Sequence, residues 1–126
     1  MAGTACAAVL ALGGCATVEV APPVENCSPS FVAPSKYGRF TIQQSGKNKA
    51  IQWGAYPNKS YSGTHYTAVV RADGRKIDSK SQNYAPHGSV SANRAKKYSG
   101  KILEISGQVT KGKKVALVYS MRCKIA

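Results

Sequence analysis

His65-Tyr66-Thr67-Ala68-Val69-Val70-Arg71-Ala72-Asp73-Gly74-Arg75-Lys76 is the stretch that decides the fold class. Tyr66, Ala68, Val70 and Ala72 share one face, and His65, Thr67, Val69 and Arg71 share the other. A period of two is the signature of a strand with one face toward a core. Asp73 and Gly74 both tolerate positive φ, so the pair reads as a two-residue hairpin turn. The returning strand is predicted to run from Arg75 to about Tyr84. The same alternation recurs on either side of this hairpin. Phe40 and Ile42 alternate with Arg39, Thr41 and Gln43, and Ile51, Trp53 and Ala55 alternate with Gln52 and Gly54. Trp53, between two apolar neighbours of its own face, reads as a core anchor. Leu103, Ile105 and Val109 oppose Glu104, Ser106 and Gln108. After a turn at Thr110-Lys111-Gly112-Lys113, Val115, Leu117, Tyr119, Met121 and Cys123 form another inward row. Paired strands with short turns predict an all-β fold, a small antiparallel β-sandwich or barrel. Ser91 to Tyr98 reads either as a short helix capped by Ser91 or as a polar loop.

The first residues obey a different pattern. Ala7 to Gly14 is a short uncharged apolar run that stops at Cys15. A membrane-spanning helix needs roughly 20 apolar residues, and this run is far shorter. Leu12-Gly13-Gly14-Cys15, an aliphatic residue and two small ones before a cysteine, resembles the lipobox of bacterial lipoprotein signal peptides. The usual basic residues are missing ahead of it, since nothing from Met1 to Ala16 carries a charged side chain. The resemblance implies a diacylglycerol on the Cys15 thiol and cleavage that leaves Cys15 as the acylated first residue. With Ala16 rather than an acidic residue after Cys15, it also implies the outer membrane, with the domain facing the periplasm. Residues 1–14 are then signal, 15–35 a lipidated tether rich in proline, and 36–126 the β domain. Pro22, Pro23, Pro29 and Pro34 favour an extended tether rising about 3 Å per residue.

On that reading Cys6 leaves with the signal and Cys15 carries lipid, so Cys27 and Cys123 remain. An oxidising compartment would pair them, closing nearly the whole domain into one loop. Isolated cysteines lack the close spacing of zinc sites, and neither has a histidine near it in sequence, so neither a metal site nor a catalytic thiol is expected. No cofactor is expected either.

The chain carries 18 Lys and Arg against five Asp and Glu, a formal charge of +13, and all of these residues lie beyond Cys15. Such a field favours acidic partners. Small clusters fall at Arg75-Lys76, Arg94 to Lys97 and Lys111 to Lys114, but the charge is otherwise scattered. Catalysis is poorly supplied. His65 and His87 are the only histidines, Asp73 belongs to the hairpin turn, and Asp78 and Glu104 read as outward charge-balancing residues. No nucleophile elbow, zinc-protease helix or phosphate-cradling loop is present. Tyrosines interleaved with lysines are the more informative pattern, since tyrosine gives large contact area with a polar tip. The candidate binding residues are Tyr56, Lys59 and Tyr61 in one loop, and Lys96, Lys97 and Tyr98 in another segment.

Together these features predict a membrane-anchored envelope lipoprotein acting as a small basic binding or structural module, not an enzyme. Its partners would be the membrane, through the lipid, and an envelope protein or anionic polymer. Two other readings remain. One is an inhibitor or exclusion protein that inserts a basic loop, Lys59 to Tyr61 or Lys111 to Lys114, into an acidic site of another protein. The other is an OB-like binder of single-stranded nucleic acid, with tyrosines as stacking platforms.

Overall fold

A computed structural model of the protein describes residues 16–18, 25–32 and 35–126. Within these residues the fold is all-β, two packed sheets with one short helix. The strands in chain order are β1 (Ala16–Val18), β2 (Glu25–Asn26), β3 (Ser30–Val32), β4 (Gly38–Gln44), β5 (Ile51–Pro57), β6 (His65–Ala72), β7 (Arg75–Gln82), β8 (His87–Val90), β9 (Ile102–Lys111) and β10 (Lys114–Lys124). Helix α1 (Ala92–Lys97) links β8 to β9, and a 3-10 turn (Lys59–Tyr61) lies between β5 and β6. The larger sheet has the order β1-β10-β9-β6-β7, with β2 also on β10, and the smaller has β3-β4-β5-β8.

The inward rows read from the alternation are the core, with one correction: a bulge between Val115 and Leu117 pairs Val115 with Thr110 on the outer face and leaves it half-buried, outside the inward row. Phe40, Ile42, Ile51, Trp53 and Ala55 from the smaller sheet are buried against Tyr66, Ala68, Val70, Ala72, Leu103, Ile105, Val109, Leu117, Tyr119 and Met121 from the larger. Asp73 and Gly74 adopt positive φ, as the hairpin requires. Between Ser91 and Tyr98 the helical alternative is realised. The Ser91 side chain accepts a hydrogen bond from the Arg94 amide at 3.2 Å, an N-cap for an otherwise marginal six-residue helix.

Tyr119 shows how the core accommodates a polar atom. Its hydroxyl donates to the Thr67 carbonyl at 2.6 Å, reaching across the strand between them. That strand carries Gly107, which pairs with Tyr119 on one side and Ala68 on the other. A Cβ at Gly107 would overlap the Thr67 carbonyl and lie 2.6 Å from the Tyr119 hydroxyl, so glycine here is a space requirement. Burial pushes the Tyr119 phenol well above its ordinary value, because a phenolate in this setting would lose its hydration.

The boundary read at Lys36 lies further toward the N-terminus. Within the segment read as a tether, β1 and β2 pair in parallel with β10, and β3 pairs antiparallel with β4. Sequence alternation missed them because two- and three-residue strands are too short to show a period. The Cys27–Cys123 disulfide is present, with Cα atoms 5.0 Å apart and both residues fully buried. Cys27 falls between β2 of the larger sheet and β3 of the smaller, so the bond fixes the crossing point between the layers. Cys6 and Cys15 lie outside the described residues, as does the apolar run before them.

Candidate functional site

The outward face of the smaller sheet is built from rows that the register aligns. Gln43, Gln52 and Ser89 form one row across β4, β5 and β8, and Thr41, Gly54 and His87 form the next. Because the alternate residues Phe40, Ile42, Ile51, Trp53 and Ala55 are committed to the core, the pleat directs these polar side chains to the opposite face. Arg39 and Tyr56 form a third row, with the guanidinium 4.9 Å from the ring centroid. The Tyr56 ring lies over Gly54, where a Cβ would overlap it. Glycine at 54 and arginine at 39 therefore hold one aromatic ring flat on a polar sheet face.

A pocket of about 600 Å³ opens here, lined by these rows and by Trp53, Asp78, Lys80 and Gly88. Asp78 and Lys80 come from β7 of the other sheet, so both layers contribute to the pocket. This corrects the outward placement of Asp78. The β6–β7 register shifts between Val70 and Arg71, which pair with Asp78 and Lys76, leaving Ile77 as an extra residue. The bulge turns Asp78 onto the row that faces the smaller sheet. Its unpaired Ile77 carbonyl is satisfied by Arg94, whose Nη1 donates at 2.9 Å. Arg94, one of the clustered cations, is thus engaged in covering an edge strand.

Gly88 admits two side chains to the pocket wall. A Cβ there would lie 2.9 Å from Trp53 Nε1 and 3.0 Å from Lys80 Cε. Trp53 anchors the core as expected, being 3 % exposed, yet its indole N–H is buried with no hydrogen-bond partner among the described residues. A buried donor without an acceptor costs about 1–3 kcal/mol, so this group stands ready for an acceptor. The chemistry on offer is one carboxylate, one ammonium, one imidazole, hydroxyls, amides and two aromatic rings. Glu104, by contrast, faces Arg71 at 3.9 Å and pairs with Arg122, the charge balancing its sequence context implied. His65 is held by Ser81 at 2.8 Å and Asn83 at 3.3 Å on the outer face of the larger sheet.

The binding residues read from sequence fall in three places. Tyr56 lines the pocket. Lys59 is exposed in the 3-10 turn, while Tyr61 is half-buried with its ring edge-on to Tyr37 at 5.1 Å. Lys111 Nζ donates to the Ser60 carbonyl at 2.9 Å, so this loop is braced against the β9–β10 hairpin. Lys96 and Lys97 are exposed on α1, and Tyr98 packs half-buried on the core with Lys97 5.6 Å from its ring. The structure does not bring the two tyrosine–lysine segments together. Sequence reading missed Thr41, Gln43, Gln52, His87 and Ser89 as one surface. The signal was their shared parity on three strands, but which strands neighbour one another is not written in any one of them. No family model matches the chain, and neither a curated protein nor a solved structure is similar to it.

Proposed function

We propose that the protein is a membrane-anchored envelope lipoprotein whose β domain is a binding module, with its recognition surface on the outer face of the smaller sheet. The observation that carries the binding reading is the pocket of about 600 Å³. Its lining couples a fixed aromatic ring to aligned amide and hydroxyl rows, and Asp78 and Lys80 supply opposite charges at its border with β7. Such a surface recognises a polar partner through hydrogen bonds placed by rigid strands rather than by mobile loops. The anchor reading rests on Leu12-Gly13-Gly14-Cys15.

The test is site-directed photocrosslinking in cells. A benzophenone side chain at Gln52 or at Ser89 should give the same discrete envelope product, and one at Lys47, on the β4–β5 turn, should not. Asp78→Asn combined with Lys80→Gln should remove that product while leaving the melting temperature intact. Identical products from all three positions would refute the pocket as the recognition surface.

A further inference from the structure

We infer that one end of the sandwich is a docking surface for an anionic phospholipid bilayer, an inference that deepens the anchored-lipoprotein reading and rests on it. Three observations converge on that end. First, β1 runs parallel to β10, with Ala16 opposite Leu117, Thr17 opposite Val118 and Val18 opposite Tyr119. The N-terminal end of β1 is therefore the end nearest the β9–β10 hairpin, and Cys15 is the residue bonded to it. Leu117 is three residues from Lys114, about 10 Å along the strand. An acyl group on Cys15 would hold this end, and no other, at the membrane surface.

Second, the end is cationic. Lys111, Lys113 and Lys114 are exposed in the hairpin, and Lys59 and Lys36 are exposed beside it. The neighbourhood is fixed by contacts, Lys111 to the Ser60 carbonyl, the Thr64 amide to the Thr110 carbonyl at 2.7 Å, and Tyr37 against Tyr61. Third, the acids among the described residues are elsewhere. Of the described carboxylate side chains, Glu25 is paired with Cys123, Glu104 sits opposite Arg71 and Arg122, Asp73 is in the β6–β7 turn and Asp78 is opposite Val70. None of these positions is at the hairpin end.

A diacylglyceryl anchor holds the chain at the bilayer by itself, so the basic surface decides how the domain lies on an anionic bilayer rather than whether it stays there. Each lysine at an anionic surface contributes about a fivefold change in membrane partition. The cations at the other end do not share in this. Lys124 is seven residues from Leu117 in the opposite direction, about 23 Å along β10, and the field of the bilayer decays over about 8 Å at physiological ionic strength. Net charge is thus a poor guide here, and the position of each lysine relative to Cys15 decides what it does.

The experiment supplies the anchor chemically, so that its outcome is independent of whether cells acylate Cys15. Full chain carrying Cys6→Ser, with Cys27 and Cys123 bridged, is coupled through Cys15 to a maleimide-headed lipid. The vesicles are either pure phosphatidylcholine or contain a third phosphatidylglycerol. Lysines are then labelled with a water-soluble amine reagent and located by peptide mass spectrometry. Lys111, Lys113 and Lys114 should be protected several-fold on the anionic vesicles relative to the neutral ones, and high salt should abolish the difference. Lys96, Lys97 and Lys101 should react equally on both. Equal reactivity of the hairpin lysines on the two vesicles, or protection of both ends alike, would overturn the inference and leave the basic end free for a protein partner. The anchored-lipoprotein reading fails separately, if membrane-extracted protein from cells carries no acyl-glyceryl mass on Cys15.

Discussion

Removing the Cys27–Cys123 bond should take away a large part of the stability of this domain. The bond closes a loop with a sequence separation of 96. Loop-closure entropy for that length corresponds to about 4.7 kcal/mol at 25 °C. A domain of this size has a total of about 5–15 kcal/mol, so the unbridged chain is left marginal. At about 4 °C per kcal/mol, the melting temperature should fall by about 20 °C. The bond also has a particular place, between a strand of each sheet, and β2 and β3 are too short to hold themselves on their partners. The loss should therefore be uneven. Without the bond, the Cys27 amide, which donates to the Lys124 carbonyl at 2.9 Å, should exchange much faster, while β6 and β9 amides stay protected. The comparison is Cys27→Ala with Cys123→Ala in a Cys6→Ser, Cys15→Ser background, which prevents disulfide exchange in the parent. Calorimetric melting and hydrogen exchange by mass spectrometry are the readouts. A fall of less than about 5 °C, with the bond confirmed in the parent, would refute the argument. Packing of the N-terminal strands, rather than the crosslink, would then be what holds the crossing.

Two further outcomes concern the Tyr119 site. Gly107→Ala should cost about 3 kcal/mol, since the new methyl overlaps the Thr67 carbonyl and the strands on both sides are fixed. A urea titration that moves the midpoint no further than a surface alanine substitution would contradict this. Tyr119 sets an alkaline limit. Its folded phenol titrates above the unfolded value of about 10, so the native state holds a proton that the unfolded chain releases. The stabilisation is complete below about pH 10 and is lost above it by about 1.4 kcal/mol per pH unit. Tyr119→Phe should cost about 1 kcal/mol at neutral pH and flatten the alkaline decline relative to wild type. Parallel stability curves for the two proteins between pH 9 and 11 would show the slope to arise elsewhere.

The strands that bury one face were legible in the chain itself. The alternation from Tyr66 to Ala72 and from Leu117 to Cys123 is a local property, readable because each strand spans several periods, and Asp73-Gly74 turned the chain by its own φ preferences, whereas the bulge that takes Val115 out of its row is set by pairing with β9. The Cys27–Cys123 bond was legible too, since the lipobox resemblance left two cysteines to pair. Tertiary structure alone decided the rest. Strands β1, β2 and β3 exist because β10 and β4 offer free edges to a chain pinned at Cys27, a cause remote from their own residues. The β7 bulge, and with it the placement of Asp78 beside Lys80 at the pocket, is set by pairing with β6 and by Arg94 capping the surplus carbonyl. Tyr61 and Tyr98, which composition marked as contact rings, are half-buried because neighbouring elements pack on them. The candidate surface was illegible for the same reason. Each strand states which residues face outward, but long-range pairing decides that Gln43, Gln52 and Ser89 stand in one row, and that the hairpin lysines share an end with Ala16.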